Sequence, residues 1–337
     1  MVDPQQPLTA KTLQPETLAE ISASVADEKG SLVFNAGAIL HPFGMPSPFR
    51  RMWMKAMAQQ MQAEGFPPPP EFQDIQLSQD DFISLLTTTG ISLDDYTGII
   101  EHDVDDQVVV VRAGTPLLEL QYELGQVGQC LPIPTLEPPQ AMATAAVYSP
   151  LIDEIGYNLP HGLAAQCGSW RDWIIGMKVV QADGTIAKCG SKAVKNVAGY
   201  DVQKLMVGAR GTLALIAEVT LKTFPIKALP EHQVRFMRRP GNRPANWIQR
   251  TQRSDFEAAV RSNSEVLTAF DSASSTLWAV VPPSQTLQRF PGDWVIRSGA
   301  GPENIVFSDP TATELMIRAK EVFDPTRRMN PGELGVV

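Results

Sequence analysis

Residues 195–218, KNVAGYDVQKLMVGARGTLALIAE, constrain this chain more than any other stretch, because they set a loop, a short helix and a strand around backbone-exposing glycines. Gly199 and Gly211 can take positive φ, or let a ligand reach the backbone where a Cβ would stand in the way. Between them Asp201 is placed to cap a short helix whose free amides favour an anionic group. Leu213, Leu215, Val219 and Leu221 then mark a largely buried strand, interrupted by Glu218. Periodicity alone leaves two readings open, one wall of a cofactor site and an ordinary connection between elements.

The same run resembles the second FAD-binding segment of the vanillyl-alcohol oxidase type flavoproteins, whose FAD domain is also called the PCMH type. Within them it is most like the smaller FAD-binding subunit of bacterial glycolate oxidases, in which a motif similar to VKNVAGYD leads into a G-x-x-GTLG segment. Ala214 stands here in place of the last Gly of that segment. Further blocks that carry the resemblance lie at 98–133, at 168–201 (GSWRDWIIGMKVVQADGTIAKCGSKAVKNVAGYD) and at 323–334 (FDPTRRMNPGEL). The resemblance implies FAD as cofactor. Carried onto this sequence, it assigns cofactor contacts to Gly37 and Ala38; to Gly162, Gly168, Ser169 and Asp172; to Lys195, Asn196, Gly199, Tyr200 and Asp201; and to Gly211, Thr212, Leu213, Ile216 and Glu218.

Composition sets outer limits. With 337 residues, 43% of them hydrophobic, the chain can bury a substantial core and hold two or three subdomains. A net charge of -9 and a pI near 5.0 without a long basic run argue against a general nucleic-acid binder. The first residues lack a cationic stretch leading into an apolar core, and no apolar run is long enough to span a bilayer, so a cytoplasmic location is expected. Cys130, Cys167 and Cys189 have the spacing of neither a disulfide framework nor a zinc site and read as free thiols; no metal site is expected.

Along the chain, Leu18, Ile21 and Val25 recur at helical spacing over 13–27, and Leu32 to Phe34 form a short strand. NAGAILHPFG follows at 35–44, where the resembling family wraps the FAD pyrophosphate in a Gly-rich nest. Only Gly37 and Gly44 are glycines there. Residues 45–97 look like an insertion, with a methionine-rich helix ending near Gly65, a stiff Pro67–Pro70 connector and a helix capped by Ser78. The methionine helix is open to two roles, partner docking and core packing.

From residue 107 a strand, QVVVVRAG, precedes a Leu-rich helix opened by Thr115 and Pro116 and ending near Gly128. The family's paired-Gly element is missing from 134–167, where Gly156, Asn158, His161 and Gly162 are candidates to line a flavin. His161 is open to three roles: a base taking the hydroxyl proton of a 2-hydroxy acid, a flavin attachment point, or a hydrogen-bonded loop histidine. After Asp172 two strands flank the Ala182-Asp183-Gly184 turn. Arg171 and Asp172 fit either a flavin-shaping loop or an internal ion pair. Lys192 and Lys195 are placed either to meet a pyrophosphate or reduced flavin anion, or to be plainly solvated.

Beyond Pro225 the chain turns more polar, which places a boundary near 226. STLWAVVPP and GDWVIRSG are expected strands, followed by the helix TELMIRAKEVF. In the resembling enzymes a C-terminal cap ends in a DP-x-x-x-x-NPG element that returns to the FAD domain; Asp324, Pro325, Asn330, Pro331 and Gly332 match it. The expected fold is α+β, a two-subdomain PCMH-type FAD-binding domain at 1–225 with a small cap at 226–337. The resemblance implies an FAD-binding subunit of a glycolate or 2-hydroxy acid dehydrogenase, partnered by a larger flavoprotein and an iron-sulfur subunit, and peripheral to the inner membrane through them. Two other readings stay open, an assembly subunit with weakened FAD binding and a stand-alone sugar or lactone oxidase.

Overall fold

A computed structural model describes residues 11–35, 58–59, 62, 88–133, 150–156, 158, 163–192, 201–229, 235–236, 247–272, 275–279, 287–288, 290, 294–297 and 310–330. The expected 36–44 loop, the Pro67–Pro70 connector and the Ser78-capped helix lie outside them, as does all but a trace of the methionine helix. The fold mixes helix and sheet.

The N-terminal part begins with β1 (Lys11–Leu13) and α1 (Leu18–Asp27). Thr17 Oγ1 accepts the Glu20 amide while the Glu20 carboxylate accepts the Thr17 amide, so two of the orphan donors of the first turn are satisfied reciprocally. Ile21 and Val25, one turn apart, are fully buried. Next come β2 (Ser31–Asn35) and β3 (Thr88–Ser92), which lies between β1 and β2 and is parallel to both. The insertion expected over 45–97 therefore has a shorter extent: its last residues supply the middle strand of this sheet.

A second sheet of five antiparallel strands has the order β4-β5-β9-β7-β8. It is made from β4 (Ile99–Asp103), β5 (Val108–Arg112), β7 (Ile174–Val180), β8 (Ile186–Gly190) and β9 (Leu215–Lys222). The β5 strand leads into α2 (Leu117–Gln126), whose Leu117, Leu120 and Leu124 face the core, as Thr115 and Pro116 predict. The β6 strand (Gln129–Cys130) pairs with β10 (Phe224–Pro225). Three short helices precede β7: α3 (Leu151–Gly156), α4 (Ala164–Cys167) and α5 (Trp170–Trp173). A fourth, α6 (Gln203–Met206), precedes β9. Central β9 is buried along nearly its whole length, and burial of each large aliphatic side chain there contributes about 1.5–3 kcal/mol. The β7-β8 hairpin turns at Gly184, whose carbonyl accepts Ser22 Oγ at 2.7 Å, so the hairpin tip is tied to α1. Both sheets thereby share one core.

The C-terminal residues form a separate antiparallel sheet, β11-β13-β14-β12-β15. Its strands are β11 (Arg235–Phe236), β12 (Trp247–Arg250), β13 (Leu267–Asp271), β14 (Thr276–Ala279) and β15 (Trp294–Arg297). With α7 (Phe256–Ser262) it encloses its own core around Phe256, Leu267 and Leu277. The last helix, α8 (Pro310–Phe323), leaves that sheet. Ala319, Phe323 and Met329 pack instead on the core of the first two sheets.

Candidate functional site

The turn between α6 and β9 has Gly208, Arg210 and Gly211 at φ +85°, +52° and +71°. Its conformation is fixed from two sides. On one side the Gly208 and Arg210 amides donate to the Ile155 and Gly156 carbonyls of α3 at 3.0 and 2.9 Å. On the other lies the segment 324–330. Asn330 Nδ2 donates to the Arg210 carbonyl at 2.7 Å, and Asn330 Oδ1 accepts the Phe34 amide at 2.9 Å. Leu32 donates to the Arg328 carbonyl at 2.6 Å and accepts the Asn330 amide at 2.8 Å, so the C-terminal segment extends the edge of β2. This segment thus joins the end of β2 to the turn that opens β9.

A buried ion pair supports that clamp. Lys320 Nζ on α8 donates to Asp324 Oδ2 at 2.5 Å, to the Thr212 carbonyl at 2.7 Å and to the Met329 carbonyl at 2.8 Å. The Asp324 side chain is fully buried and that of Lys320 nearly so. Burial pushes the Lys320 amine below its ordinary value. Burial would raise the Asp324 carboxyl, but the hydrogen bonds from Lys320, the Met329 amide and Thr326 outweigh it and hold the group below the usual carboxylate range.

A cavity of about 510 Å³ opens beside the turn, between α5, α8 and the end of β12. Its apolar wall comes from Val207, Leu213, Leu315 and Met316. Two guanidinium groups reach it, Arg171 of α5 and Arg250 of β12, and no carboxylate lies among the described residues that line it. Arg171 Nη2 is steadied by the Val207 carbonyl at 3.2 Å. Asn158, Thr212 and Thr251 add neutral polar groups to the lining. An apolar cleft with isolated cations suits a ligand that joins an apolar body to an anionic group.

The model of a family described as FAD binding domain matches residues 79–190. Residues 79–190 are an FAD binding domain. FAD is the cofactor of that domain, and an apolar, cation-bearing cleft beside it is compatible with a ligand of that chemistry. Three curated relatives extend the likeness. Glycolate oxidase subunit GlcE of Escherichia coli (strain K12) is 34% identical over 143 residues, 41% of this chain and 38% of that protein. The mitochondrial D-lactate dehydrogenase [cytochrome] of Arabidopsis thaliana is 33% identical over 131 residues, 39% of this chain and 21% of the relative. Glycolate oxidase subunit GlcD of Bacillus subtilis (strain 168) is 31% identical over 128 residues, 38% of this chain and 25% of the relative. The chain thus spans 38% or less of the length of each of these relatives.

The residues expected to meet the cofactor of this FAD binding domain fall into three groups. Gly37, Ala38, His161, Gly162, Lys195, Asn196, Gly199 and Tyr200 lie outside the described residues. Thr212 and Leu213 line the cavity. The others have local partners. Gly168, Ser169 and Asp172 form a capped turn in which Asp172 Oδ2 accepts both the amide and the hydroxyl of Ser169, at 2.8 and 2.9 Å. The Ser169 amide chiefly holds the Asp172 carboxyl below its ordinary value. Ile216 is a buried strand residue.

Three further residues of that set have partners within the protein. Asp201 caps no amide of α6; its carboxylate is exposed and pairs with Lys204 Nζ at 2.7 Å. The turn amides of Gly208, Ala209, Arg210 and Thr212 donate to backbone carbonyls. Gly211 is needed for close packing: a Cβ there would stand 2.5 Å from Asn330 Nδ2 and 3.1 Å from the Phe34 ring. Glu218 is a partner of the sheet itself, accepting from Lys178 Nζ at 2.8 Å and Tyr96 Oη at 3.1 Å. Burial, then the Glu218 charge, pushes the Tyr96 hydroxyl up.

Arg171 and Asp172 do not pair with one another, each having its own partner. Lys192 pairs with Glu101 at the surface, linking opposite edges of the five-stranded sheet. Sequence reasoning missed Arg250, Leu315 and Met316, which lie far along the chain and carry no motif. The NPG-type ending was the only pointer to the Asn330 clamp.

Proposed function

We propose that the chain is the FAD-binding subunit of a 2-hydroxy acid dehydrogenase of the glycolate oxidase type. FAD supplies a hydride acceptor when bound. The observation that carries this reading is the FAD binding domain at 79–190, whose last strands, β7 and β8, belong to the sheet that β9 completes. The names of the relatives, glycolate oxidase subunits and a D-lactate dehydrogenase, support the substrate class.

On this reading the parallel sheet and the five-stranded sheet are the two FAD-holding subdomains, and the sheet beyond residue 226 is the reduced cap. Pyrophosphate recognition falls to the loop at 36–44, with Gly37 and Ala38, and to Lys195, Asn196, Gly199 and Tyr200. The Asn330 clamp holds the end of β2, the strand that precedes that loop in sequence, against the Gly211 turn. Gly162, Gly168, Ser169 and Asp172 shape the flavin pocket, and Thr212 and Leu213 stand where it meets the cleft between α5, α8 and β12. His161 takes the hydroxyl proton of the substrate. Electrons pass onward to an iron-sulfur subunit, and a larger flavoprotein completes a complex that sits in the cytoplasm, peripheral to the inner membrane.

One observation favours a second reading, an assembly subunit with weakened FAD binding: the 36–44 loop has only Gly37 and Gly44, and 134–167 lacks a paired Gly. Anaerobic mixing of the FAD-loaded chain with glycolate and D-lactate, alone and with its partner subunits, separates the two. Bleaching of the flavin band by the chain alone supports catalysis in this subunit. A flavin band unchanged in every mixture contradicts it.

A further inference from the structure

The cavity between α5, α8 and β12 has features that the proposed function does not require. Its two arginines come from different elements, Arg171 from α5 just before β7 and Arg250 from the end of β12. Among the described residues neither has a carboxylate partner; Arg171 is exposed and Arg250 partly buried, and a partly buried cation in an apolar cleft is stabilised by an anion. The guanidinium fork matches a planar carboxylate through two parallel hydrogen bonds. Glycolate has no carbon beyond the one that bears its hydroxyl, yet the cleft measures about 510 Å³ and is walled by Leu213, Val207, Leu315 and Met316. That wall has nothing to touch on so short an acid.

Resting on the proposed function and going further, we infer that Arg171 and Arg250 form a carboxylate clamp whose apolar wall selects 2-hydroxy acids with a branched or extended apolar side chain over glycolate. Asn158, which lines the same cleft, is the polar side chain available to meet the 2-hydroxyl or 2-oxo group.

The test is calorimetric titration of the full chain, its FAD content read from the visible spectrum, with pyruvate, 4-methyl-2-oxopentanoate and the amide of the latter. The 2-oxo acids cannot reduce the flavin, so binding is read without turnover. Each added buried methylene strengthens binding by about fourfold, which makes 4-methyl-2-oxopentanoate, longer by three methylene equivalents, bind about sixtyfold more tightly than pyruvate. The amide binds weakly. Arg250→Gln weakens both acids by about ten- to a hundredfold at unchanged FAD content, and Arg250→Lys by less. Leu315→Asn removes most of the chain-length preference and spares pyruvate. Equal affinity for the two acids, or for acid and amide, overturns the proposal. So does an Arg250→Gln variant that loses FAD while binding the acids normally, since the cleft then belongs to the flavin. A wild-type chain that binds the acids as expected but takes up no FAD contradicts the flavoprotein reading and leaves the clamp standing.

Discussion

Replacing Asn330 by alanine should cost the chain about 3–5 kcal/mol of stability. Asn330 is 7% exposed, and its side-chain amide reaches across from the C-terminal segment to the Phe34 amide at 2.9 Å and the Arg210 carbonyl at 2.7 Å. Without it the Phe34 N–H has no acceptor in a site closed to water, at about 1–3 kcal/mol. Loss of a donor to the Arg210 carbonyl adds about 1 kcal/mol. Asn330 also sits at φ +41°, and alanine tolerates this less well than asparagine by about 1 kcal/mol. The assay is urea unfolding at pH 7 followed by tryptophan fluorescence, because Trp170 and Trp173 lie in the core that the clamp closes. The midpoint falls at constant slope. Asn330→Gly, which relieves the positive φ but restores no hydrogen bond, recovers about 1 kcal/mol. A loss below about 1 kcal/mol for Asn330→Ala refutes the reasoning, since it would mean that the Phe34 and Arg210 groups are satisfied without the side chain.

The same geometry makes further predictions. Gly211→Ala lowers the thermal midpoint clearly more than Gly128→Ala, although both glycines have φ near +72°, because the new Cβ at 211 meets Asn330 Nδ2 at 2.5 Å while nothing lies within 4 Å at 128; equal shifts contradict the packing role. Asp324 has a folded pKa below its ordinary value, so its stabilisation is present above about pH 4 and is lost as pH falls through the lower folded value. The gap in urea midpoint between wild type and Asp324→Asn is therefore full at pH 7 and closes in acid; a gap independent of pH argues against an ionised Asp324. Gly199→Val reduces FAD occupancy with little effect on unfolding, and unchanged occupancy removes that residue from the cofactor wall. His161→Gln slows flavin reduction without releasing FAD, and normal reduction kinetics make it a bystander.

Local signals in the sequence carried much of the fold. Ile21 and Val25 at one-turn spacing, Thr115-Pro116 before a Leu-rich run, and Asp183-Gly184 between two apolar strands each mark an element that formed, although the first helix begins at Leu18 rather than at 13, where Lys11–Leu13 is a strand. The middle strand of the parallel sheet, TTGIS, was hidden because it has little alternation and follows a long segment with no family-like pattern. Glu218 illustrates the other limit. A carboxylate inside a strand motif invites a ligand role, but its partners, Lys178 and Tyr96, lie 40 and 122 residues away and could not be read from spacing. For the same reason the Arg250 side of the cleft was invisible, while the DP-x-x-x-x-N ending, in which Asp324 and Asn330 each make several side-chain hydrogen bonds, left a readable trace.

The central claim is that this chain holds FAD. Its most direct test is the visible absorption spectrum of the purified full chain, followed by acid release to identify the flavin and count it per chain. The account predicts FAD near one per chain, either as purified or after reconstitution. A colourless protein that remains apo after incubation with excess FAD would contradict it.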